Sequence, residues 1–105
     1  MDHQDKHSQR SADVEKNIRR QTVRIGNRRG LHARASAKFV KMATRFDAEV
    51  TVTKGDIIVC GTSIMGLMML AAATNSQISI EAAGREAQNA LRALVDLVEG
   101  NFGEE

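Results

Sequence analysis

Apolar residues in this chain change their period as the sequence proceeds, and that change limits the folds open to it. Over residues 21–25 they alternate, with Val23 and Ile25 on one side and Thr22 and Arg24 on the other, as in a strand with one covered face. Over residues 33–46 the period lengthens. Phe39, Met42, Ala43 and Phe46 share one helical face, while Arg34, Lys38, Lys41 and Arg45 share the opposite one. Alternation returns at residues 48–53, where Ala48, Val50 and Val52 are interleaved with Glu49, Thr51 and Thr53. Lys54-Gly55-Asp56 is a hairpin turn, and residues 57–60 form a third strand. A short helix opens after Gly61 with Thr62 or Ser63 as its cap, and Asn75 and Ser76 close that segment. Residues 77–82 alternate again through Ile78 and Ile80. After Gly84 the clearest helix begins, with Ala87, Ala90, Leu91, Leu94, Val95 and Val98 as its apolar stripe and Gly100 or Gly103 as its stop.

The order is therefore β-α-β-β-α-β-α. Alternating strands need cover on one face, and amphipathic helices need something to cover. Both needs are met by an α+β fold of two layers, an open-faced β-sandwich with an antiparallel four-stranded sheet and three helices on one side. A length of 105 residues suits one small domain. Residues 1–20 mix both charges with few apolar groups, so they read as a flexible charged tail before a domain at 21–105, with at most a frayed helix near residues 14–19. His3 and His7 have helical ligand spacing but no companions, so they read as solvated and not as a metal site.

The longest apolar run, residues 64–73, falls short of the roughly 18 residues that a membrane-spanning helix needs. The charged N-terminus has no apolar core, so no secretory signal is expected. The one cysteine, Cys60, has no internal disulfide partner and fits a reducing cytoplasm; its apolar run predicts a buried, inert thiol. No cofactor is called for. The net charge is +2, unevenly distributed: Arg24, Arg28, Arg29, Arg34, Lys38, Lys41 and Arg45 fall within residues 21–46, which contain no acid. Such a local positive field favours an acidic protein or a phosphate over bulk nucleic acid.

Within that stretch, Gly30-Leu31-His32-Ala33-Arg34-Ala35 places a histidine where a turn becomes a helix. The residues alone admit two readings of His32. One is an ordinary helix cap. The other is a phosphoryl acceptor: imidazole is nucleophilic near neutral pH, and the first N–H groups of a helix point at any anion it carries. Arg34 either adds a charge-assisted hydrogen bond to such a group or begins the solvated face of the helix. Lys38, Lys41 and Arg45 extend that face into a docking surface. Ser63 reads as a cap, and a phosphate added there would suit the helix dipole. The run Ile64-Met65-Gly66-Leu67-Met68-Met69-Leu70 is apolar all round, yet a short helix on a sheet buries one face only. Leu67, Leu70 and Ala71 are assigned to the core, and Ile64, Met65 and Met68 to a docking patch.

Gly-Leu-His-Ala-Arg-Ala at residues 30–35 and Gly-Thr-Ser-Ile-Met-Gly-Leu at 61–67 together resemble the HPr family, the phosphocarriers of the bacterial phosphoenolpyruvate-dependent phosphotransferase system. The resemblance covers residues 21 to about 102. It implies strand order 1-4-2-3 and a stoichiometric carrier, not an enzyme. Enzyme I would phosphorylate His32 at Nδ1 and an EIIA-type protein would receive the group, with Arg34 as the active-site arginine. Ser63 would be the target of HPr kinase/phosphorylase where that enzyme exists, and Ile64, Met65 and Met68 the shared contact surface. A monomer suits a carrier that moves between partners. The apolar run after Ser63 is similar to the nitrogen-related NPr branch, which implies regulation more than sugar uptake. Ala35 departs from the family's usual proline, a change that affects helix start only slightly.

Three other classes compete. A nucleic-acid-binding module would use exposed aromatics on its strands, but Phe39, Phe46 and Phe102 fall in or beside helical segments, and tryptophan and tyrosine are absent. A small hydrolase would need a carboxylate to orient His32, and none lies near it in sequence. A purely regulatory scaffold has no use for His32.

Overall fold

The computed structural model describes residues 17–104. Strands β1 (Ile18–Arg24), β2 (Glu49–Lys54), β3 (Ile57–Cys60) and β4 (Gln77–Ala83) form one sheet in the order β1-β4-β2-β3, and all its pairings are antiparallel. Helices α1 (Ala33–Ala43), α2 (Ile64–Met69) and α3 (Ala87–Glu99) follow β1, β3 and β4, and a 3-10 turn at Asn101–Gly103 leads to Glu104.

The register explains why one face is covered. Val23 lies opposite Ile78, Ile80 opposite Val52, and Ala82 opposite Val50. All six are buried, together with Phe39, Leu67, Leu94, Val98 and Phe102 from the helical layer. The alternate residues, such as Thr22, Ser79 and Thr53, share the opposite face, where no helix of the described residues lies. The alternation thus decides which side the helices occupy, because a one-residue slip would turn every core side chain outward.

Four local expectations change. Strand β1 begins at Ile18, so Ile18, Arg19 and Arg20 pair with Ala83, Ala82 and Glu81 instead of belonging to a tail or a frayed helix. Residues 1–16, with His3 and His7, lie outside the described residues. Helix α1 stops at Ala43, and Phe46 packs half-buried beyond its end. Helix α2 stops at Met69. Ala71 then takes a positive φ of 49°, so its side chain faces outward and Ala72 fills the core position expected of it. Leu67 and Leu70 are buried as anticipated.

Cys60 is the fourth change. It is exposed, because β3 is an edge strand and Cys60, opposite Thr51, points to the uncovered face. A hydrogen bond with the Thr62 hydroxyl at 3.1 Å pulls its thiol below the usual range. It is an accessible thiol, not an inert buried one.

Candidate functional site

The turn after β1 delivers His32 to the start of α1. Gly30 adopts φ +63° and lies against the Ala72 carbonyl, which Leu31 N–H meets at 2.9 Å. That close approach fixes the loop on the strand of chain leading to β4. His32 is then the N-cap of α1: its backbone is extended, and its Nδ1 accepts a hydrogen bond from Arg34 N–H at 3.2 Å. A nitrogen that accepts carries a lone pair and no hydrogen. On the other side of the ring, Nε2 lies 2.7 Å from Oε2 of Glu104. A carboxylate only accepts, so Nε2 is the protonated nitrogen. The two contacts together select one tautomer and leave the nucleophilic lone pair on Nδ1, at the positive end of a helix.

Glu104 was not legible as a site residue, being 72 positions from His32 with no motif around it. Its carboxyl sits below the ordinary glutamate range, chiefly because of the His32 hydrogen bond. Asn27 contributes too: its Nδ2 donates to Oε1 of Glu104 at 3.2 Å and to the Gly30 carbonyl at 2.9 Å. The missing carboxylate of the sequence argument is therefore supplied by the C-terminal end of the chain.

The other expected residues divide into two groups. Arg34 is exposed one turn position beyond the ring, and Lys41 and Arg45 are exposed farther along α1. Lys38 lies on the same face, but its Nζ donates to the Phe102 carbonyl at 2.7 Å, so its charge is engaged in holding the C-terminal turn. Ser63 caps α2 with its Oγ accepting from Gly66 N–H at 2.9 Å. Helix α2 packs beside α1 and exposes Ile64, Met65 and Met68, with Met69 added to the same apolar surface. Met65 and Met69 are 72% and 71% exposed, and no packing among the described residues covers them. The phenylalanines lie elsewhere: Phe39 and Phe102 are in the core and Phe46 packs against it, all away from the open face of the sheet. Among the described residues no cluster of His, Cys, Asp or Glu could hold a metal ion, and no helix is long and apolar enough to cross a membrane.

A family model described as the PTS HPr component phosphorylation site matches residues 19–100. The chain belongs to the HPr family. The HPr phosphocarrier of Neisseria meningitidis serogroup A is 54% identical over 85 residues, spanning 81% of this chain and 96% of that protein. The NPr phosphocarrier of Shewanella violacea is 39% identical over 82 residues, spanning 78% of this chain and 90% of its own length. Among solved structures, HPr from Thermoanaerobacter tengcongensis superposes with a TM-score of 0.80 at 40% identity, covering 83% of this chain and 98% of that one. The sheet order seen here is the HPr order, and the family is one of phosphocarriers in the phosphotransferase system.

Proposed function

We propose that His32 is the phosphoryl acceptor of this HPr-family chain, charged at Nδ1 by an Enzyme I-type donor and discharged to an EIIA-type protein. The observation that carries this is the double hydrogen bonding of the ring, with Nδ1 facing the first N–H groups of α1 and Nε2 on Glu104. Transfer breaks the donor's bond to phosphorus and forms the Nδ1–P bond. The phosphoryl oxygens then take over the Arg34 N–H that Nδ1 accepts in the resting chain. The Arg34 side chain supplies a charge-assisted hydrogen bond to the same group. The positive ring that results faces the Glu104 carboxylate, which favours the charged product.

Ile64, Met65 and Met68 form the apolar half of the docking surface, and Lys41 and Arg45, with Lys38 in part, form the basic half. One surface serves donor and acceptor in turn, so the carrier works as a monomer and shuttles in the cytoplasm without itself being an enzyme. Ser63 is a second modification position. A phosphate on its Oγ would keep the α2 cap satisfied while placing about two negative charges beside the apolar patch, and so weaken docking. A kinase of the HPr kinase/phosphorylase type is the partner for that step.

Incubation with Enzyme I and labelled phosphoenolpyruvate tests the main reading. Acid-labile, base-stable label should appear, and His32→Ala should remove it; label that persists in the variant sinks the assignment. With HPr kinase and ATP, acid-stable label should depend on Ser63. The NPr relative and the apolar α2 favour a regulatory, nitrogen-related output. The relative at 54% identity is named HPr, and this favours sugar uptake as the second reading. Transfer rates to nitrogen-type and sugar-specific EIIA proteins separate the two.

A further inference from the structure

We infer that Asn27 is a positioning residue for phosphoryl transfer, holding the Glu104 carboxylate in register with His32. This rests on the carrier reading of His32. Glu104 follows the end of α3 and a tight turn, at the edge of the described chain. A long carboxylate side chain in such a place has many rotamers, and holding Oε2 on Nε2 means giving up that freedom. Asn27 removes that freedom. Its side chain is buried, 3% exposed, in the loop that carries His32. One Nδ2 hydrogen goes to the Gly30 carbonyl, two residues before His32, and the other to Oε1 of Glu104. The carboxylate oxygens are thus divided, Oε1 to Asn27 and Oε2 to His32. Since both partners of Nδ2 are acceptors, the amide orientation is fixed by its surroundings.

The turn before Glu104 shows why a tie is needed. Asn101, Phe102 and Gly103 have successive positive φ values of 58°, 56° and 76°. A bulky residue such as Phe102 is disfavoured there and stays only where its surroundings over-determine it. Three contacts do so: the buried Phe102 ring, Lys38 Nζ on the Phe102 carbonyl, and Asn27 on Glu104. The first two seat the turn. Apart from His32 itself, Asn27 is the side chain that ties the carboxylate to the His32 loop. In the transfer step the donor's bond to phosphorus breaks as Nδ1–P forms, Nε2 keeps its hydrogen, and the ring's new positive charge lies against Glu104. Asn27 touches neither phosphorus nor the ring; it acts through the carboxylate.

The test is a double-mutant cycle on the full chain, read as the single-turnover rate of phosphoryl transfer from Enzyme I. Asn27→Ala should slow transfer about tenfold, as expected when a reacting group loses its alignment. Glu104→Gln should slow it comparably, and the double variant should be no slower than Glu104→Gln alone. NMR titration of the Glu104 carboxyl gives a second readout: its midpoint should rise in Asn27→Ala. If Asn27→Ala does not fold, Asn27→Ser, which removes the amide donor without adding charge, should give the same two results. Effects that multiply, or a wild-type rate with an unmoved Glu104 midpoint, overturn the inference while leaving the carrier reading intact. A wild-type chain that takes no label overturns both readings, and is distinguished by that first lane.

Discussion

Replacing Gly30 by alanine should damage both the fold and the site, and the size of the effect can be worked out by comparison with Gly55. Both glycines have left-handed backbones, φ +63° and φ +59°. A Cβ on Gly55 would meet nothing within 4 Å, so Gly55→Ala incurs only the backbone penalty, about 1–2 kcal/mol. A Cβ on Gly30 would come within 2.2 Å of the Ala72 carbonyl oxygen and 2.9 Å of the Ala73 Cα. Both are backbone atoms that cannot swing aside. The loop must move, which adds about 1–3 kcal/mol by the usual cost of overpacking. It also strains the 2.9 Å bond from Leu31 N–H to Ala72 O and the Asn27 bond to the Gly30 carbonyl. Gly30→Ala should therefore lose about 2–5 kcal/mol in urea unfolding, against total stabilities of about 5–15 kcal/mol for small domains. Phosphoryl transfer from Enzyme I should drop with it, because the loop bears His32, whereas Gly55→Ala should transfer at the wild-type rate. Equal destabilisation by the two variants, or normal transfer by Gly30→Ala, would refute the reasoning.

Phe102→Ala should cost about 3–5 kcal/mol in urea unfolding, since the ring is fully buried and seats the C-terminal turn; a loss below about 1 kcal/mol would contradict that packing. Met65→Asp should change stability by less than about 0.5 kcal/mol, given its exposure, yet raise the apparent KM for Enzyme I; an unchanged KM would remove Met65 from the docking patch. The Glu104 carboxyl is lowered in the folded chain, so the unfolded chain binds its proton more readily and the carboxylate's contribution is present at pH 5–7. That contribution is lost as pH falls below about 4.3 and through the lowered folded value, so the stability gap between wild type and Glu104→Gln should close there. A gap that stays constant with pH would show that the carboxylate contributes nothing. Cys60 in the native chain should react with a disulfide reagent at least as fast as in the urea-unfolded chain, given its exposure and lowered thiol; protection would refute that placement.

The sequence by itself determined the order of elements, the covered face of the sheet and the place of His32. Each of these depends on periods and caps that act over a few residues: Val50 and Val52 two apart, Leu91 and Leu94 three apart, a histidine just before Ala33. The motif at residues 30–35 was legible for the same reason, since a helix start is a local event. What failed locally were ends and edges. The apolar run 64–73 reads as one helix, but the positive φ at Ala71 breaks it; Cys60 reads as buried, but it faces the uncovered side of the sheet with Ile58, and the edge position leaves even Ile57 open. Strand periodicity gives the face of a side chain and not the strand's place in the sheet. Only the tertiary structure brought Glu104 and Asn27 to the histidine, across 72 and 5 positions of chain respectively for the first ring contact and the loop that frames it. A carboxylate near the end of the chain has no periodic partner to betray it. Its role comes from the turn at Asn101–Gly103, which α3 and the buried Phe102 ring aim at the start of α1.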